Sequence, residues 1–180
     1  MTQWTFYPAF VGTFISIVGW CYFVYYEHNK VNLKTLSELG AASRSTLTYF
    51  RAILWVCGPL FAITMFFFVL PRINHAYFQV VAYGITFVCE ILLGVFPAIS
   101  KTRRLHAVLA FLMAAGMLAM AYLFSFSFHG AYMRVQVLLA LMMSILALST
   151  LLNRKNFIFY ELPFIFLAHV TILITALALK

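Results

Sequence analysis

Residues 89–111 read CEILLGVFPAISKTRRLHAVLAF, and the rest of the chain repeats the pattern they set. An apolar run carrying one carboxylate, Glu90, meets Gly94 and Pro97. It then crosses a short loop with Lys101, Arg103 and Arg104, and resumes as a second apolar run after His106. Proline restricts the residue before it and glycine is permissive, so Gly94 and Pro97 read as a helix end. Alternatively, they loosen the helix beside Glu90 and turn carbonyls toward a cavity.

Apolar segment, basic loop, apolar segment is also the pattern on both sides of this stretch. A spanning helix needs about 20 mainly apolar residues. Six segments qualify: 7–26, 52–70, 76–97, 107–128, 133–152 and 157–179. Hydrophobic residues make up 65 % of the 180 positions and charged residues 9 %, where soluble domains carry roughly 45–50 % and about 25 %. The expected fold is all-α: a polytopic membrane protein, one six-helix transmembrane bundle over residues 1–180. Only the first connection, 27–51, is long, which leaves no room for a soluble domain.

The net charge of +8 is distributed by side. Loops one, three and five carry nine Lys and Arg: Lys30, Lys34, Arg44, Arg51, Lys101, Arg103, Arg104, Arg154 and Lys155. The other side carries three: Arg72, Arg134 and Lys180. This asymmetry predicts that loops one, three and five are cytoplasmic and both termini outside. No basic patch is interleaved with exposed aromatics, so no nucleic-acid partner is expected. The opening MTQWTFYPAF has no basic n-region, and the first run is expected to be a retained helix.

Trp4, Trp20, Tyr22, Tyr25, Tyr26, Trp55 and Tyr160 lie near predicted span ends, where amphipathic rings settle at headgroups. Cys21, Cys57 and Cys89 form no CxxC pair and read as small buried hydrophobes. Ala115 with Ala119, and Ala140 with Ser144, would let the fourth and fifth spans approach closely.

The polar residues inside this apolar background are the functional candidates. A carboxylate near the bilayer centre costs on the order of 2.5–3.5 kcal/mol, so such groups face the bundle interior with a partner. Glu90 lies about three residues, roughly 4–5 Å, to the cytoplasmic side of the middle of the third span and His169 near the middle of the sixth, so depth permits a contact. Glu90 reads either as a neutral acid bonded to a neighbouring helix or as a group that binds, moves protons or catalyses. A second cluster follows from alternation of the spans. Loop one holds Ser37, Glu38 and Gly40, loop three ends at His106, and Glu161 opens the sixth span after loop five; all fall on one membrane face. Glu90 and Gly94, four apart, form a stripe leading to that face. The plainer reading is helix-end electrostatics for Glu161 and a simple turn at Ser37–Gly40.

Some chemistries are discounted. Every lysine is in a loop or at the end, so no mid-membrane Schiff base is available. The histidines do not pair at matching depths as a di-haem site needs. There is no Walker loop, HExxH or GxSxG, and His106 with the nearby acids offers too few strong ligands for zinc. No cofactor and no metal are expected.

Leu36-Ser37-Glu38-Leu39-Gly40, Leu93-Gly94-Val95-Phe96-Pro97 and His106-Ala107-x3-Ala110-Phe111 follow one another in a characteristic order. In this the chain resembles a prokaryotic family of small six-helix membrane proteins and the eukaryotic FRAG/DRAM/Sfk superfamily. The resemblance picks out Ser37, Gly40, His106 and Glu161. Val108 and Leu109 depart from the eukaryotic pattern, which has glycine after the histidine. The resemblance implies a prokaryotic inner-membrane protein associated with lipid handling.

Three functions are consistent with these features. The leading one is a bundle that binds, senses or handles a lipid-like molecule through Ser37, Gly40, Glu90, Gly94, His106, Glu161 and His169. The second is an intramembrane lipid-modifying enzyme, with His106 as general base beside Glu161 or Glu38. The third is a small proton-coupled transporter using Glu90 and His169. Membrane lipids are the expected partners, with a homo-oligomer or a larger membrane complex as further alternatives.

Overall fold

The computed structural model describes residues 3–27, 35–74, 76–152 and 157–180. Lys30, Lys34, Arg154 and Lys155 from the charge count lie outside these residues. The described chain is helical throughout: α1 (Tyr7–Glu27) after a 3-10 turn at Gln3–Phe6, α2 (Leu36–Gly40), α3 (Arg44–Thr64), α4 (Tyr77–Val95), α5 (Arg103–Ser125), α6 (Gly130–Leu152) and α7 (Phe157–Ala178). A π turn, Met65–Val69, and a 3-10 turn, Leu70–Arg72, prolong α3. Six of these helices are long and apolar enough to cross a membrane, and the protein is an integral membrane helix bundle.

The second span starts earlier than its hydropathy indicates. Ser43 accepts a bond from the Thr46 N–H (3.1 Å), and the Thr46 hydroxyl accepts one from the Ser43 N–H (2.8 Å). This reciprocal cap satisfies N–H groups that a helix start leaves unpaired. It places residues 44–51, expected in the loop, in α3. At the other boundary α4 passes through Gly94 and stops at Val95, two residues before Pro97.

Each spanning helix packs on its neighbours in sequence, and α7 closes the ring by packing on α1 while also touching α5. Because lipid tails are as apolar as leucine, close contact and interhelical hydrogen bonds hold such a ring together. Thr64 on α3 accepts the Ala9 N–H of α1 at 3.0 Å. Between α5 and α6, the Tyr122 and Ser144 hydroxyls meet at 2.8 Å, and Ser144 donates onward to the Ala140 carbonyl at 2.9 Å.

Between α6 and α7, Gln136 is fully buried; its amide donates to Thr175 Oγ1 (2.8 Å) and the Thr171 carbonyl (3.2 Å). Its own Oε1 has no partner among the described residues. Intramembrane hydrogen bonds of this kind average about 0.6 kcal/mol, and leucine would remove the unpartnered oxygen. We therefore expect Gln136→Leu to change unfolding free energy in micelles by less than about 1 kcal/mol. A larger loss would show that Gln136 holds α6 and α7 together.

Several packing expectations are corrected. Trp20 is 3 % exposed, with its ring against Phe23 and Phe50, and so is a core residue and not a headgroup anchor. Cys57 and Cys89 are buried, whereas Cys21 is on the outer surface of α1. Ala115 and Ala119 do not meet α6; they line an open apolar groove between α4 and α5.

Candidate functional site

The α2 end of the bundle is assembled around a five-residue helix. Leu36 and Leu39 are buried beneath α2, and its cap residue Thr35 accepts the Glu38 N–H at 3.0 Å. Glu161, on the first turns of α7, turns its carboxyl inward, and Oε2 accepts the Leu36 N–H at 2.9 Å. At the other end of α2 the Gly40 carbonyl accepts the Thr46 hydroxyl at 3.3 Å. A Cβ on Gly40 would stand 2.7 Å from the Phe50 ring, so only glycine lets α2 lie this close to α3. Thus α2 is held by α7 at its start and by α3 at its end.

A third tether comes from α5. Arg103 Nη2 donates to Glu38 Oε1 at 3.2 Å, in a pair whose arginine is 71 % exposed. Exposed pairs of this kind contribute about 0.2–1 kcal/mol, so this one orients α2 more than it stabilises the fold. One turn along α5, His106 is buried, with Nδ1 2.6 Å from the Phe96 carbonyl. A carbonyl only accepts, so Nδ1 bears the hydrogen and Nε2 is an acceptor in the neutral ring. That Nε2 is buried without a partner among the described residues. His106 thus ties the end of α4 to the start of α5. Thr102, which donates to the Pro97 carbonyl, closes the same loop.

Ser37, Glu38, Gly40, His106 and Glu161 therefore share one end of the bundle, but they do not form one constellation. Ser37 is half-buried on α2. His106 makes no hydrogen bond to Glu161 or Ser37, the contact that a general base oriented by either would have.

Glu90 and His169 lie deeper and apart. Glu90 on α4 faces α3, its carboxyl 3.1–3.3 Å from where a Cβ on Gly58 would be. The next residue, Pro59, has no N–H, so the Trp55 carbonyl lacks its partner in the helix ladder. His169 instead stacks on Phe61, with centroids 4.3 Å apart at 18°, and its Nδ1 has no partner among the described residues. Neither hydrogen bond nor ion pair joins Glu90 to His169. Gly94 serves close packing: its carbonyl accepts Arg51 Nε at 2.7 Å, and a Cβ there would be 2.4 Å from Trp55 Nε1.

Reading the sequence missed Arg103 as the partner of Glu38, the Leu36 N–H as that of Glu161, and the Ser43–Thr46 cap. The last had a visible signal, a Ser-x-x-Thr just ahead of an apolar run. Among the described residues, no three His, Cys or Glu converge to hold a metal ion. No protein-family model, no curated protein and no solved structure matches the chain.

Proposed function

We propose that the protein binds the headgroup of an anionic membrane lipid at the α2 end of the bundle. One observation carries this reading. Of the acidic side chains described at that end, Glu161 is turned inward onto the Leu36 N–H, and Glu38 takes Arg103. Arg44, Lys101 and Arg104 are exposed and have no acidic partner among the described side chains. Basic groups at a membrane surface attract anionic headgroups by about 1 kcal/mol each. Beside this rim, α2 is tied to α3, α5 and α7. The resemblance to a superfamily associated with lipid handling supports the same reading.

The test is native mass spectrometry of the gently solubilised protein, offered phosphatidylglycerol and phosphatidylcholine together. Wild type should retain phosphatidylglycerol preferentially. Each of Arg44→Gln, Lys101→Gln and Arg104→Gln should lower that preference by about fivefold, the equivalent of roughly 1 kcal/mol. An unchanged preference in the triple variant would overturn the proposal, leaving these residues as topological signals only.

A further inference from the structure

The opposite end of the bundle carries a second basic feature, built differently. The four acids of the chain are Glu27, Glu38, Glu90 and Glu161, and there is no aspartate. Glu27 ends α1 and Glu161 opens α7, both at the α2 end, where Glu38 also lies; Glu90 is within the last turns of α4 on the way to it. The other end therefore has no acidic side chain. Even so, two cations converge on one cavity there, of about 100 Å³, between the start of α1, the end of the α3 rod and the end of α7.

The cavity has a defined floor. Phe6 and Phe68 pack against each other with ring centroids 5.4 Å apart. The Arg72 guanidinium stands 3.9 Å over the Phe68 ring and the Lys180 ammonium 5.1 Å over the Phe6 ring. Each ring attracts its cation and limits the directions the side chain can take. Arg72 gives one N–H to the Phe68 carbonyl at 2.8 Å. A guanidinium has five such donors and an ammonium three. No carboxylate pairs with either residue among the described ones. The two cations stand over adjacent rings and line one cavity, and an anion bound there would be attracted by both.

We propose that this cavity binds a phosphate group, clamped between Arg72 and Lys180. Its volume of about 100 Å³ admits a phosphate group. At the helix ends the cavity lies at headgroup depth, so the phosphate comes either from a phospholipid or from free inorganic phosphate.

Two probes on the full chain in micelles separate these sources. In the first, the unfolding midpoint is followed as sodium phosphate replaces sodium chloride at matched ionic strength. In the second, retained phosphatidylglycerol is counted by native mass spectrometry. Lys180→Gln is the primary variant, since the Lys180 side chain is exposed and makes no hydrogen bond among the described residues; Arg72→Gln follows. A phosphate-dependent rise in midpoint that needs about fivefold more phosphate to reach the same size in Lys180→Gln supports the site with a free-ion source. One retained lipid lost in Lys180→Gln, with no response to inorganic phosphate, supports it with a lipid source. Equal behaviour of wild type and both variants in both probes overturns it. Arg44→Gln, Lys101→Gln and Arg104→Gln lower total retained phosphatidylglycerol but should leave intact both the midpoint response to inorganic phosphate and the further lipid lost on adding Lys180→Gln, so the two ends of the bundle are tested independently.

Discussion

Gly116→Val in α5 is expected to force α4 and α5 apart and to be among the most damaging single changes in the bundle. A Cβ at position 116 would stand 3.0 Å from the Ala82 carbonyl and 2.4 Å from Thr86 Oγ1. Neither neighbour can yield cheaply. The first is helix backbone, and the second is fixed by its own bond to the Ala82 carbonyl at 2.9 Å. Overpacking a core costs roughly 1–3 kcal/mol, and removing glycine from a helix interior returns up to about 1 kcal/mol. A net loss of about 1–2 kcal/mol follows, read as a lowered unfolding midpoint in micelles. Ala115→Val, one position away in the open groove, is the matched control and should cost almost nothing. Equal midpoints for the two variants would mean that α4 and α5 do not approach through Gly116.

Glu161→Ala should release α2. It leaves the Leu36 N–H, in a residue that is 1 % exposed, without an acceptor. A buried donor stripped of its partner costs about 1–3 kcal/mol. The loss is local, because α2 contributes little to the spanning ring. Hydrogen exchange should therefore speed up at Leu36 through Ala41, while α5 and α6 keep their protection. Glu161→Gln retains an oxygen at the same place and should restore most of it. If exchange at α2 is unaffected by Glu161→Ala, the contact does not hold the clasp. The two variants also separate fold from function: lipid preference at the α2 end should fall in Glu161→Ala even though Arg44, Lys101 and Arg104 remain.

Legibility differed between the fold and the site. Span existence follows from runs of apolar residues, and these are local, so the six spans were readable from segments such as 107–128. Boundaries were less so, because a polar cap at Ser43 extends α3 through Arg44 and Arg51, where hydropathy is low. For the candidate site, alternation of spans was enough to bring Ser37, Glu38, Gly40, His106 and Glu161 to one end. The partners of those residues were not readable. Glu38 meets Arg103 and Glu161 meets a backbone N–H. A backbone donor leaves no mark in a sequence.

The amino-acid sequence by itself determined that this is an all-helical membrane protein with six spans, and where along each span the polar groups fall. Depth is position along a helix, and it rises by about 1.5 Å per residue. Only the tertiary structure decided rotation about each axis and which helices touch. In a water-soluble bundle an apolar stripe would mark the inward face. In a bilayer both faces are apolar, so Trp20 is in the core and Ala115 at the surface without any difference in hydropathy to announce it. For the same reason Glu90 and His169 face different neighbours on α3, Gly58 and Phe61.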